Sequence, residues 1–89
     1  MKTYSAREII RKAYGDSKNF MTPHVISVGK INQNTAYELS WGTGFTHSKI
    51  YGVSIAKVIK GGKGQRSYDL SKSFDSKSQA LNYINSLKG

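Results

Sequence analysis

Hydrophobic positions recur with a helical period at both ends of the chain and with a strand period between them. Near the start, Ala6, Ile9, Ile10, Ala13 and Tyr14 fall at the spacing of a core-facing helical stripe. Ser5 and Glu8 frame that start as a capping box, in which the Ser5 hydroxyl accepts the Glu8 backbone N–H and the Glu8 carboxylate accepts that of Ser5. Tyr4 and Ile9 occupy the staple positions around it and Gly15 supplies the stop, so a helix is expected from Ala6 to Tyr14. Arg7 and Arg11 stand one turn apart on its outer face with Lys12 beside them. Glu8 can pair with Lys12 at i+4, which makes the arginines a positive ridge.

After a loop over Asp16 to Pro23, whose Phe20 and Met21 are expected to tuck into the core, His24 to Ile31 reads as a strand with Val25, Ile26 and Val28 as its apolar content. Asn32, Gln33 and Asn34 make a hairpin connection, since Asn tolerates left-handed backbone. From Thr35 to Trp41 the alternation is clean, with Tyr37, Leu39 and Trp41 on one face and Ala36, Glu38 and Ser40 on the other. Gly42 to His47 joins this hairpin to a longer one, Ser48 to Phe74. There Ile50 to Ile59 forms one strand, GGKG at 61–64 forms a basic tip, and a second alternating run follows. In that run Tyr68, Leu70 and Phe74 share one face, while Ser67, Asp69, Ser71 and Ser73 share the other. In the first strand Tyr51, Val53 and Ile55 alternate, but Lys57 then falls on the apolar side and Ala56 and Val58 on the other. A β-bulge near Ala56 would repair that break.

A last helix is expected from about Ser76 to Leu87, capped by Asp75 or by Ser76 with Gln79, with Ala80, Leu81, Ile84 and Leu87 as its stripe. Connections this short suit antiparallel neighbours and not parallel crossovers. The expected fold is one α+β domain over 1–89, in the order α-β-β-β-β-α. It is a four-stranded antiparallel sheet of two hairpins, with both helices on one face and the other face open to solvent.

Length and charge narrow the function. A chain of 89 residues buries roughly two-thirds of its unfolded surface, enough for one modest core. Its 14 Lys and Arg against 5 Asp and Glu give a net charge of +9. A charge so far from zero points to an anionic counterpart: nucleic acid, an acidic protein surface or an anionic membrane. With no cysteine the chain has no disulfide framework, no thiolate nucleophile and no zinc site of the Cys type, which fits an intracellular setting. No apolar run has the length of a signal peptide or a membrane span, so a cytoplasmic protein without membrane contact is expected.

His24 and His47 are the only histidines, and neither has an Asp, Glu or His at ligand spacing, so no metal, no cofactor and no catalytic residue is expected. His47 would be the best placed residue of a small ribonuclease, but a lone loop imidazole lacks an orienting carboxylate. Neither GTGFTH nor GGKGQRS has the G-x-x-x-x-G-K-[ST] spacing of a nucleotide-binding loop. Among the aromatics, alternation assigns Tyr37, Trp41 and Tyr68 to the core and leaves Phe45, Tyr51 and Tyr83 as rings for stacking on bases. The order of helix, antiparallel strands and helix resembles the double-stranded-RNA-binding domain, and VIKGGKGQRS is similar to the strand end and basic loop before that family's last helix. The chain departs from that pattern where the family has adjacent lysines and an alanine-filled helix. Here Tyr68 to Phe74 reads as a further strand and Ala80 is the one alanine of the last helix, so no binding residue is carried over.

These features lead to the expectation of a non-enzymatic module that binds DNA or RNA by its phosphates. The contacts would be Lys57, Lys60, Lys63, Arg66 and Lys72 of the long hairpin and Arg7, Arg11 and Lys12 of the first helix. The alternative is a small phage or mobile-element protein whose basic surface docks an acidic partner and inhibits a host nucleic-acid-handling or defence complex. A small ribonuclease ranks third. Strandedness and oligomeric state stay open.

Overall fold

The computed structural model describes residues 4–15, 22–44 and 47–88. Helix α1 (Ala6–Tyr14) is followed by strands β1 (His24–Lys30), β2 (Thr35–Thr43), β3 (Lys49–Val58), β4 (Gly64–Arg66) and β5 (Lys72–Phe74), and by helix α2 (Lys77–Lys88). The α+β class, the antiparallel sheet and the two terminal helices are those the sequence predicts. The capping box forms with both bonds at 3.2 Å, and Gly15 ends α1 by donating its N–H to the Arg11 carbonyl. Thr43 pairs with Lys49, so β2 and β3 are antiparallel neighbours and the two expected hairpins share one sheet. Phe20 and Met21 lie outside the described residues, as do most of the loop before β1 and Phe45 and Thr46.

The expected fourth strand is split. β4 pairs with Val58 to Ala56 and β5 with Val53 to Tyr51, while residues 67–71 leave the sheet between them. Ile55 would lose its backbone partners at this gap, and a buried peptide group left unpaired is costly. Two side chains and one amide prevent that. The Ser67 N–H donates to the Ile55 carbonyl at 2.9 Å, and the Ile55 N–H donates to Ser71 Oγ at 3.0 Å. The Ser71 hydroxyl in turn donates to the Ser67 carbonyl at 2.9 Å, and the Tyr14 hydroxyl reaches across from α1 to the Ile55 carbonyl at 2.9 Å. Tyr68 and Leu70, expected in the core, ride on this excursion and are 71% and 38% exposed. Phe74 returns to register opposite Tyr51 and packs on the core.

Register assigns the two faces of the sheet, because directly opposed residues point the same way. Tyr37 opposes Ile55 and Leu39 opposes Val53 on one face; Ala36 opposes Ala56, Glu38 opposes Ser54 and Ser40 opposes Gly52 on the other. α2 lays Ala80 and Ile84 on the first set, and α1 lays Ile9 and Ile10 on Ala36 and Ala56. The helices therefore lie on opposite faces, which corrects the expectation of one helical layer and one open face. The apparent break in β3 is the cause: Val53 and Ile55 face α2 while Ala56 and Val58 face α1, so both sides are apolar and no bulge is needed. The register shift that does occur lies in β1, between Val25 and Ser27, and explains why that strand shows no alternation. In α2 the buried stripe is Ala80 and Ile84 with Tyr83 and Leu87 beside them, whereas Leu81 turns outward and is 41% exposed. No helix among the described residues is long and apolar enough to cross a membrane.

Replacing Ser71→Ala removes the acceptor for the Ile55 N–H at a buried position, so unfolding in urea should show a loss of about 1–3 kcal/mol. A loss near zero would mean that the serine does not substitute for the missing strand.

Candidate nucleic-acid interface

α1 sits so close on β4 that a Cβ added at Gly64 would lie 2.3 Å from the Lys12 carbonyl carbon. That approach, possible only without a side chain, carries the basic residues of the helix to those of the β3–β4 hairpin. At the tip the Ile59 N–H donates to the Lys63 carbonyl at 2.9 Å and the Gly62 N–H to the Ile59 carbonyl at 3.0 Å. Gly61 and Gly62 take φ of 92° and 80°, a conformation that glycine adopts without steric cost. The turn leaves Lys60 and Lys63 exposed at its end. Gly62 lies against the Tyr4 hydroxyl, and the Lys12 ammonium stands 5.4 Å from the Tyr4 ring centre.

Arg66 has a structural task as well. Its Nε donates to the Ala13 carbonyl at 3.0 Å, its Nη1 to the Tyr68 hydroxyl at 3.0 Å, and its guanidinium covers the Tyr14 ring at 4.8 Å. A cation on a last-turn carbonyl also complements the negative end of the helix dipole. Arg66 thus clamps α1 to β4 and keeps an exposed outer edge.

Arg7 and Arg11 occupy the other flank of α1, where they line a cleft of about 320 Å³ with Ile10, Gly15, Val25, Val28 and Glu38. Lys30, opposite Ala36, faces the same side. The sequence reading passed over it because β1 has no alternation to orient its side chains. Arg7, Arg11, Lys12, Lys60, Lys63 and Arg66 are therefore brought to the α1 side and its adjoining hairpin tip. Lys57 and Lys72 are not. Lys57 pairs with Gln65 on the face of Ile55, and Lys72 holds its ammonium 5.2 Å from the Tyr83 ring on α2.

The described acids are divided between the two sides. Glu8 is engaged by Ser5, Glu38 lies in the cleft, Asp69 is near Tyr83, Asp75 lies two residues before the start of α2, and Asp16 is outside the described residues. Burial pushes the Glu38 carboxyl above the usual carboxylate range, and no described residue hydrogen-bonds or pairs with it. Among the described residues no three His, Asp or Glu side chains gather as metal ligands would. His47, exposed with φ of 61°, sits in the loop at the opposite end of β3 from Arg66.

The aromatics also differ from the expectation. Tyr51 and Tyr83 pack against the core, and the Tyr83 hydroxyl donates to the Leu70 carbonyl, while Phe45 is outside the described residues. Trp41, assigned to the core by alternation, is half-buried between the stacked His24 ring at 4.3 Å and the Lys49 ammonium at 4.9 Å. Tyr68 is the exposed ring beside the basic surface. Comparison with protein-family models, curated proteins and solved structures finds no match to this chain.

Glu38 gives the cleft a measurable signature. A carboxyl whose pKa rises on folding costs stability at pH values above its raised pKa, where the fold bears the desolvation of its charge. As pH falls through the raised pKa towards the ordinary 4.5, the folded state takes up the proton first and that penalty is relieved. Glu38→Gln should therefore raise the unfolding midpoint at neutral pH, by an amount that shrinks on acidification. A pH-independent effect, or a loss at neutral pH, would contradict this environment.

Proposed function

We propose that the protein is a non-enzymatic nucleic-acid-binding module that grips phosphates with α1 and the β3–β4 hairpin. The observation that supports this reading is the gathering of Arg7, Arg11, Lys12, Lys60, Lys63 and Arg66 on one side of the sheet and its end, with Lys30 facing the same way. Glu8 and Glu38 share that side and Asp69 and Asp75 lie towards α2, so the cations of the α1 side outnumber its acids. A positive surface of this kind attracts the phosphate backbone and releases its counterions, without requiring base readout. Arg66 and Lys12 are held in place by Tyr14 and Tyr4, which reduces the side-chain freedom lost on binding. Tyr68, anchored by Arg66, offers a ring on which an unpaired base can stack.

Binding to duplex DNA should then weaken linearly in log K against log salt, with a slope of about −0.9 per phosphate and hence roughly −5 for six contacts. Lys60→Glu with Lys63→Glu should flatten that slope by about 2, and the fold should survive because exposed substitutions cost within about 0.5 kcal/mol. Fluorescence anisotropy across a salt series measures both. No binding at low salt, or tight binding indifferent to salt, would refute the proposal, and capture of an acidic polypeptide in its place would favour protein docking.

A further inference from the structure

We infer that the cleft between α1 and the β1–β2 hairpin takes one unpaired guanine, its Watson–Crick edge on Glu38 and its phosphate on Arg7 and Arg11. This rests on the nucleic-acid reading above and adds base selection to it. The cleft, at about 320 Å³, reaches the size of small-ligand sites, which combine apolar walls with a few convergent polar groups. Ile10, Val25 and Val28 supply the walls, and Val25 is 56% exposed on a strand, an apolar side chain left uncovered at the mouth. Glu38, opposite Val28 and Ser54, supplies the acceptor from the sheet side, and the arginines enter from the helix side.

The chemistry selects the base. An ionised carboxylate accepts hydrogen bonds through two oxygens and donates none. Guanine is the base whose Watson–Crick edge carries two adjacent donors, N1–H and the 2-amino group. Adenine and cytosine pair one amino group with a ring acceptor that a carboxylate repels, and thymine or uracil sets its single N–H between two carbonyls. That edge is free only when the base is unpaired, which points to single strands, loops or ends. An arginine of a protein partner would present a similar pair of donors, but two guanidinium groups already line the cleft. They repel a cation and attract a phosphate, so nucleic acid is the favoured occupant.

The test uses a labelled thymidine homopolymer of about a dozen nucleotides and the same strand with one central deoxyguanosine, deoxyadenosine or deoxycytidine. The guanine strand should bind about tenfold more tightly than the others, and Glu38→Gln should bring that ratio to about one. Binding of all strands with equal affinity, or a guanine preference that survives Glu38→Gln, overturns the inference and leaves the phosphate reading standing. Failure of every strand to bind at low salt overturns both. A second measurement needs no variant: guanosine monophosphate should shift the Val25 and Val28 methyl resonances of the native protein and adenosine monophosphate should not. If N-acetylarginine amide shifts them and guanosine monophosphate does not, the occupant is a protein side chain and the inference fails.

Discussion

β3 is apolar on both sides, and the architecture follows from the need to cover it twice. Val53 and Ile55 point one way and Ala56 and Val58 the other, so a single helical layer would leave one set in water. α2 takes the first side and α1 the second. The outer edge of β3 adds a further demand, because β4 and β5 leave a gap at Ile55. Ser67 and Ser71 close it, and the Tyr14 hydroxyl joins the same knot from α1. The helix that covers the second face is thus tied to the edge of the sheet by a part-buried polar contact as well as by packing.

The basic surface is a consequence of that attachment. α1 lies against small residues, Ala36, Ala56 and Gly64, and approaches the sheet closely enough for Arg66 to reach its last carbonyls. Its remaining sides must then carry Arg7, Arg11 and Lys12 outward, next to Lys60 and Lys63. Concentrated like charge opposes folding, and the structure offsets some of it by laying cations on rings: Lys12 on Tyr4 and Arg66 on Tyr14. The same close packing leaves the cleft at the other flank, where β1 bends at its register shift and Glu38 stays half-buried.

Local signals in the sequence located α1 to the residue, because the Ser5–Glu8 box and Gly15 act within one turn of each end. They also made β2 legible through strict alternation. They did not reveal that its second face is covered. Ala36, Glu38 and Ser40 look like a solvent side, yet Ala36 and Ser40 are fully buried, since a closely packed helix selects small residues and Ser40 donates to Thr22. The split of the fourth strand was equally hidden. Tyr68 and Leu70 alternate with polar residues as a strand would, and only the meeting of Ser71 with Ile55 in space shows that the chain leaves the sheet there. Most of the basic interface could be read from charge and helix position, whereas the cleft could not, because Glu38 meets the arginines only through the fold.

The claim on which the functional account turns is that the α1 side, and not the α2 side, is the binding face. Backbone amide shifts recorded while a short oligonucleotide is added at low salt test it directly. The account predicts changes along α1, across 59–66 and at Tyr68, with the outer face of α2 around Leu81, Asn82 and Asn85 unmoved. Shifts concentrated on α2, or none on α1 and the hairpin tip, would contradict it.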